Sequence, residues 1–164
     1  MSYAEAKVSL TTDCTHPMIS PFHSVQFYED DGFLIESMAS FIRQGLKVND
    51  SVIIVATAGH RDQLRKMLTP AEWVSDRLMF LDADELLSTF MNGEWPDESR
   101  FMMRMGSLIR QVGRMGRVRL FGEMVNILCQ KGKPRAALRV EELWNKLASY
   151  LPFLLLCGYS HSAT

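Results

Sequence analysis

Five polar tips punctuate this chain, each directly after a short apolar or β-branched run. Tyr28 and Glu29 follow Ser24–Phe27, and Thr57 and His60 follow Val52–Ala56. Asp82 and Asp84 follow Leu78–Leu81, Glu123 follows Val118–Gly122, and Tyr159 and His161 follow Phe153–Gly158. These side chains offer carboxylates, an imidazole that titrates near neutrality and phenols that donate a hydrogen bond. Paired carboxylates such as Asp82 and Asp84 can hold a hard cation through oxygen. Asp-Ala-Asp-Glu before a helix is also an N-cap with an acidic first turn, and the residues favour the cap. Glu123 has two readings of equal weight: contact with a ligand, or a structural pair with a base such as Arg119 or a cap on the next turn. His60 falls where a helix begins, so first-turn packing competes with ligand contact. His23 precedes its strand at the opposite end and reads as packing or hydrogen bonding. No Gly-x-Ser-x-Gly elbow and no Cys–His spacing marks a nucleophile. Cys14-Thr15-His16 is not a metal site by itself. No catalytic residue, metal or cofactor is expected.

The elements that must position these tips follow from hydrophobic periodicity. Residues 1–21, broken by Pro17 and Pro21, read as a flexible leader, and 22–164 as one domain. Ser24–Tyr28, Ser51–Ala56, Leu78–Leu81, Val118–Phe121 and Phe153–Cys157 read as strands. Ser51–Ala56 is a continuous β-branched run, as in a strand buried on both faces. Leu34, Met38, Phe41, Ile42 and Leu46 recur at helical spacing, as do Phe101, Met105, Leu108, Ile109 and Val112. Shorter helices are expected over Arg61–Leu68 and Glu85–Met91, and another from about Arg135 with Leu138, Leu143, Leu147 and Leu151 inward. Alternating strands and helices imply a parallel sheet with helices on both faces. Ligands of such sheets sit beyond the carboxyl ends of the strands. Tyr28, Glu29, His60, Asp82, Glu123 and Tyr159 are therefore the candidate ligand-binding residues, arranged as the walls of one crevice.

Composition narrows the class. The chain has 164 residues, a 47% hydrophobic fraction and a net charge of −1, which fit one globular domain and give no global attraction to nucleic acid or anionic lipid. No apolar run approaches the roughly 20 residues of a membrane span. Cysteines at 14, 129 and 157 lack zinc-type spacing and read as reduced thiols in a cytoplasmic protein. Ten Lys or Arg against Glu123 alone lie between Arg100 and Arg139. Arg100, Arg104, Arg110 and Arg114 read first as the solvated face of one helix, and second as a partner surface. Most methionines read as core filling. Trp95, in an Asn-Gly-Glu-Trp-Pro loop, reads as a pocket cover or partner contact, and Trp144 as core.

Several segments in order, HSVQFYEDDGFLIESMASFIRQGL, SVIIVATAGHRDQL, LDADELLSTFMNGEWPDESRF, RLFGEMVNIL, ELWNKL and FLLLCGY, resemble the MEDS domain. The resemblance covers about His23 to Tyr159. It implies a sensory domain for small molecules, with hydrocarbon derivatives as suggested ligands, in signal transduction and transcription regulation. It also implies a degenerate relative of the RecA and circadian-clock ATPase fold, a three-layer sheet in the order 5-1-4-3-2. A RecA-type ATPase needs GxxxxGK[ST] after its first strand to cradle phosphate and hold magnesium. Here that loop is Tyr28-Glu29-Asp30-Asp31-Gly32-Phe33, with one glycine, no lysine and three carboxylates. No functional Walker A is present at that loop, and the enzyme reading is weakest. The expectation is a small-molecule sensor that signals through a separate regulatory protein or by self-association, without membrane insertion or direct nucleic-acid binding. The alternative is an interaction scaffold that has lost its ligand.

Overall fold

The computed structural model describes residues 22–160. The leader, and His161 of the last tip, lie outside the described residues. Five parallel strands form the central sheet: β1 (His23–Tyr28), β2 (Ser51–Ala56), β3 (Leu78–Asp82), β6 (Val118–Gly122) and β7 (Leu154–Ser160). A small antiparallel hairpin, β4 (Met91–Asn92) and β5 (Trp95–Pro96), turns at Gly93, whose φ of 62° suits a residue without Cβ. It occupies the stretch expected to be a plain loop.

Strand alternation sorts the core into two layers. Val52, Ile54, Phe121, Leu156 and Tyr28 face α1 (Asp31–Lys47) and α2 (Ala58–Met67), where Leu34, Met38, Phe41, Ile42 and Leu64 cover them. Val25, Ile53, Val55, Leu120, Leu155, Cys157 and Tyr159 face the other way. They meet α4 (Ala83–Ser88), α5 (Glu98–Val112), α6 (Met124–Gln130) and α7 (Pro134–Ala148). Between β2 and β3, α3 (Pro70–Trp73) is a single turn closed by a capping box of Thr69 and Glu72. Two of the longer helices begin at a side-chain cap: Asp30 accepts from Phe33 N–H at 2.8 Å, and Asp97 from Arg100 N–H at 2.8 Å, whereas α7 begins with Pro134 in its first turn.

The strand order is β1-β7-β6-β2-β3. Numbered by the five main strands alone, that is 1-5-4-2-3, which corrects the expected 5-1-4-3-2. The reason lies in the burial patterns. All six residues of β2 are buried, and so are six of the seven in β7. Continuous apolar strands need a neighbour on each side and a helix on each face, so they occupy interior places. β1 and β3, which alternate or thin out toward the polar, form the edges.

Candidate functional site

The connection after β2 runs to α2 on one face, and that after β6 runs to α6 on the other. β2 and β6 are neighbours, so their carboxyl ends part into a crevice, the place where open parallel sheets bind ligands. Glu123 stands in that crevice. Its Oε2 accepts from Thr57 N–H at 2.9 Å, and His60 Nδ1 lies 2.9 Å from both carboxylate oxygens. His60 Nε2 reaches outward to Asp31 Oδ1 at 3.1 Å. The imidazole is thus strung between a carboxylate that is 1% exposed and one that is 55% exposed. The Glu123 hydrogen bond, which outweighs the opposing effect of burial, holds the His60 pKa up to about 9, with Asp31 adding to it.

Tyr28 closes the floor. Its ring meets the His60 ring edge-on at 6.5 Å between centroids, and its hydroxyl accepts from Asn126 Nδ2 at 3.4 Å. Asn126 Oδ1 in turn accepts from Ser160 N–H at 3.0 Å, tying α6 to the end of β7. Burial, then the charges of Glu123 and Asp31, raise the Tyr28 phenol and keep it neutral. The cluster fills its own crevice, with Tyr28, Glu123 and Asn126 all buried and only His60 and Asp31 toward solvent. Cavities of about 340 and 360 Å³ lie elsewhere, one beside Glu36, Arg43 and Met67 and one beside Phe22, Tyr150 and Phe153.

Of the six expected residues, Tyr28, His60 and Glu123 meet at this tip. Glu29 is exposed beside it. Asp82 sits at the edge strand as the N-cap of α4, accepting from Glu85 N–H at 2.9 Å and from Arg61 Nη2 at 2.6 Å. Tyr159 points to the opposite face of the sheet, since it shares a side with Cys157 and not with Gly158. The single crevice expected to have Glu123 and Tyr159 as walls is therefore two separate places. Arg119 is no partner of Glu123 either. It donates to Asp50 Oδ2 at 3.1 Å and to the Phe41 carbonyl at 3.3 Å, toward the other end of the sheet. Asp31 and Asn126 were missed, while Thr57 was named among the tips. Asp31 had a signal, as it occupies the loop after β1. Arg100, Arg104 and Arg110 are exposed on α5, as a solvated helix face requires, whereas Arg114 is exposed beyond its end, and Trp144 is core.

A second polar cluster was also missed. His23, Glu141, Cys157 and Tyr159 meet between α7 and the β1–β7 pair, each 1–2% exposed. The Tyr159 hydroxyl donates to Glu141 Oε1. His23 Nε2 lies 3.0 Å from Glu141 Oε2 and 3.1 Å from Cys157 Sγ, while Nδ1 lies 3.4 Å from Asn145 Oδ1. Burial pulls the His23 pKa down, but the charge and hydrogen bond of Glu141 together win and raise it. Burial and then Glu141 push the Cys157 thiol and the Tyr159 phenol up, so both are neutral in this arrangement. Cys157 is a free, buried thiol.

Fold and tip together define a class: a doubly wound parallel α/β domain with polar groups gathered at its switch point. The chain belongs to the MEDS family, the MEthanogen/methylotroph, DcmR Sensory domain, whose family model matches residues 22–164. Membership gives it a sensory role. No curated protein and no solved structure matches the chain. Among the described residues no helix is long and apolar enough to cross a membrane.

Proposed function

We propose that this sensory domain binds a small organic molecule at the carboxyl ends of β1, β2 and β6, and that His60 is the shutter of the site. The observation that carries this is the chain Glu123–His60–Asp31: a buried carboxylate at the switch point, closed by a half-buried imidazole hinged on an exposed acid. A ligand with a hydrogen-bonding head group and a short apolar body takes the place of His60 on Glu123. Its body then rests against Tyr28. The displaced imidazole carries the first turn of α2 with it, and that movement, read by a partner protein, is the signal. Ligand and partner act by shifting one equilibrium between a closed and an open tip.

Recognition without turnover is the companion proposal. Asp30 already caps the amino end of α1, where a phosphate would bind in an ATPase, and Asp31 stands beside it. An anion there meets two carboxylates and a helix end whose Phe33 N–H is already taken.

Calorimetry and thermal shift with short-chain alcohols, amides and carboxylates test the reading. A binder is expected to lose about 1–3 kcal/mol of affinity in Glu123→Gln, the range for a buried hydrogen bond, and to gain affinity in His60→Ala, which removes the group it must displace. Equal affinity in both variants overturns the site. The second reading, a scaffold without ligand, is favoured by the filled tip, where Glu123 and Tyr28 are already satisfied. If no compound of the panel raises the melting temperature and protein purified from its host carries none in native mass spectrometry, the scaffold stands.

A further inference from the structure

The buried cluster has the connectivity of a metal site. Four polar side chains sit inside the layer between α7 and the sheet, where Val25, Leu155, Val140 and Trp144 form an apolar surround. Glu141 lies on the inward stripe of α7 with Ala137, Val140 and Trp144, a place that ordinarily takes an apolar residue. A carboxylate there costs several kcal/mol of desolvation unless its lone pairs are engaged. Tyr159 engages Oε1, whereas among the described residues no donor meets Oε2 in good hydrogen-bond geometry, and His23 Nε2 stands 3.0 Å from it.

The outer contacts explain this pattern. Metal-bound imidazoles pass their second ring N–H to a carbonyl or carboxylate oxygen, and metal-bound carboxylates are themselves hydrogen-bonded. Asn145 Oδ1 faces His23 Nδ1 at 3.4 Å, and Tyr159 donates to Glu141 Oε1. Those two supports leave Nε2 of His23 and Oε2 of Glu141 turned toward Sγ of Cys157. Ligand atoms of these three residues lie within 4.8 Å of one another, and Nε2 is 3.0 and 3.1 Å from the other two. Zinc bound at its usual lengths separates nitrogen, oxygen and sulfur ligands by roughly 3.4–3.6 Å. The two Nε2 separations therefore lie within a few tenths of an ångström of those an ion needs.

We infer that His23, Glu141 and Cys157 form a binding site for a borderline divalent cation of the zinc class. The donor set selects that class, because imidazole and thiolate together disfavour magnesium and calcium. One thiolate and one carboxylate balance the two positive charges, so the loaded site is neutral in its apolar surround. Binding releases the thiol proton of Cys157 and the Nε2 proton of His23 to solvent. Three protein ligands leave one tetrahedral corner for a small exogenous donor. The ion cross-links the start of β1, the middle of β7 and the centre of α7. This inference stands independently of the strand-tip reading.

The test uses the full chain, stripped with chelator and titrated with cobalt(II) and zinc(II) ions alone. The expected result is one ion per chain, with the thiolate-to-cobalt charge-transfer absorption of a bound sulfur and the visible bands of a tetrahedral ion. Cys157→Ser is expected to abolish the charge-transfer absorption. Asn145→Ala keeps all three ligands and the absorption while weakening binding about 10–100-fold, as loss of an outer partner does. This variant carries the test if Cys157→Ser does not fold. Failure of the wild type to bind one equivalent, persistence of the absorption in Cys157→Ser, or unchanged affinity in Asn145→Ala would each overturn the assignment.

Discussion

The two polar clusters are built from the same chemistry, a histidine against a buried carboxylate with a tyrosine beside it, on opposite sides of one sheet. At the strand tip, Glu123 has a backbone donor from Thr57, and His60 leads out to solvent through Asp31. Beneath α7, Glu141 has only side-chain partners, and every member is sealed from water. Neighbouring strands carry both, since Tyr28 on β1 is in register with Ser160, one residue beyond Tyr159 on β7. Exposure is what separates their uses. A pair with a path to solvent can exchange partners at modest cost, because water takes over when a contact opens. A sealed pair cannot open without stranding a charge, so it either holds the fold or holds an ion.

The largest effect should come from breaking the sealed pair. Glu141→Ala leaves His23 and the Tyr159 hydroxyl buried without their carboxylate. It should cost about 3–5 kcal/mol, measured as the shift of the urea unfolding midpoint. A loss as small as that of an exposed pair would erase the distinction between the clusters. Next comes Gly158→Ala, on the strand that separates them. A Cβ there would stand 2.9 Å from Phe121 Cζ. Overpacking of this kind costs about 1–3 kcal/mol and should appear in the same assay. A neutral result would argue against the interior place of β7. Smaller again is Asp82→Ala, which removes a helix cap and an ion pair with Arg61 and should cost about 1–2 kcal/mol of stability. Ligand affinity should be unchanged in that variant, and a loss of binding would extend the site to the edge strand.

The elements were largely legible because their signals are local. Ser51–Ala56 was read with its exact ends from its β-branched run, and the start of α4 followed from Asp82 as its cap. The strand order was missed by following a resemblance over the pattern. The unbroken apolar runs of β2 and β7 already claimed the interior places that the borrowed order gave to other strands. Placing Tyr159 in the crevice was a related slip, since alternation along Cys157-Gly158-Tyr159 puts it on the α7 side. Glu123 and His60 were found by the strand-tip rule, although their bond, 63 positions apart, was not. The sealed cluster joins His23 to Asn145 and Cys157, 122 and 134 positions away, distances no local pattern spans. Its one sequence signal was Glu141, a charge on the inward stripe of an amphipathic helix.

The smallest expected effect is the one that isolates the open cluster. His60→Gln keeps a neutral donor for Glu123 and loses only the charge, so it should cost about 1 kcal/mol or less near neutral pH. Its sign against pH is fixed. The folded pKa of His60 is raised from 6.5 to about 9, so its stabilisation is complete below 6.5 and is lost as pH rises through 9. Wild-type stability should therefore fall across that window, and less steeply in His60→Gln. The buried His23 is raised as well and adds a slope of the same sign, so unfolding curves alone do not separate the two. Ring resonances in NMR do. His60 should titrate near 9 in the wild type and move back toward 6.5 in Glu123→Gln, with the His23 resonance undisturbed. If both rings shifted together, the two clusters would be one coupled network, and the contrast between an exchangeable tip and a sealed core would be wrong.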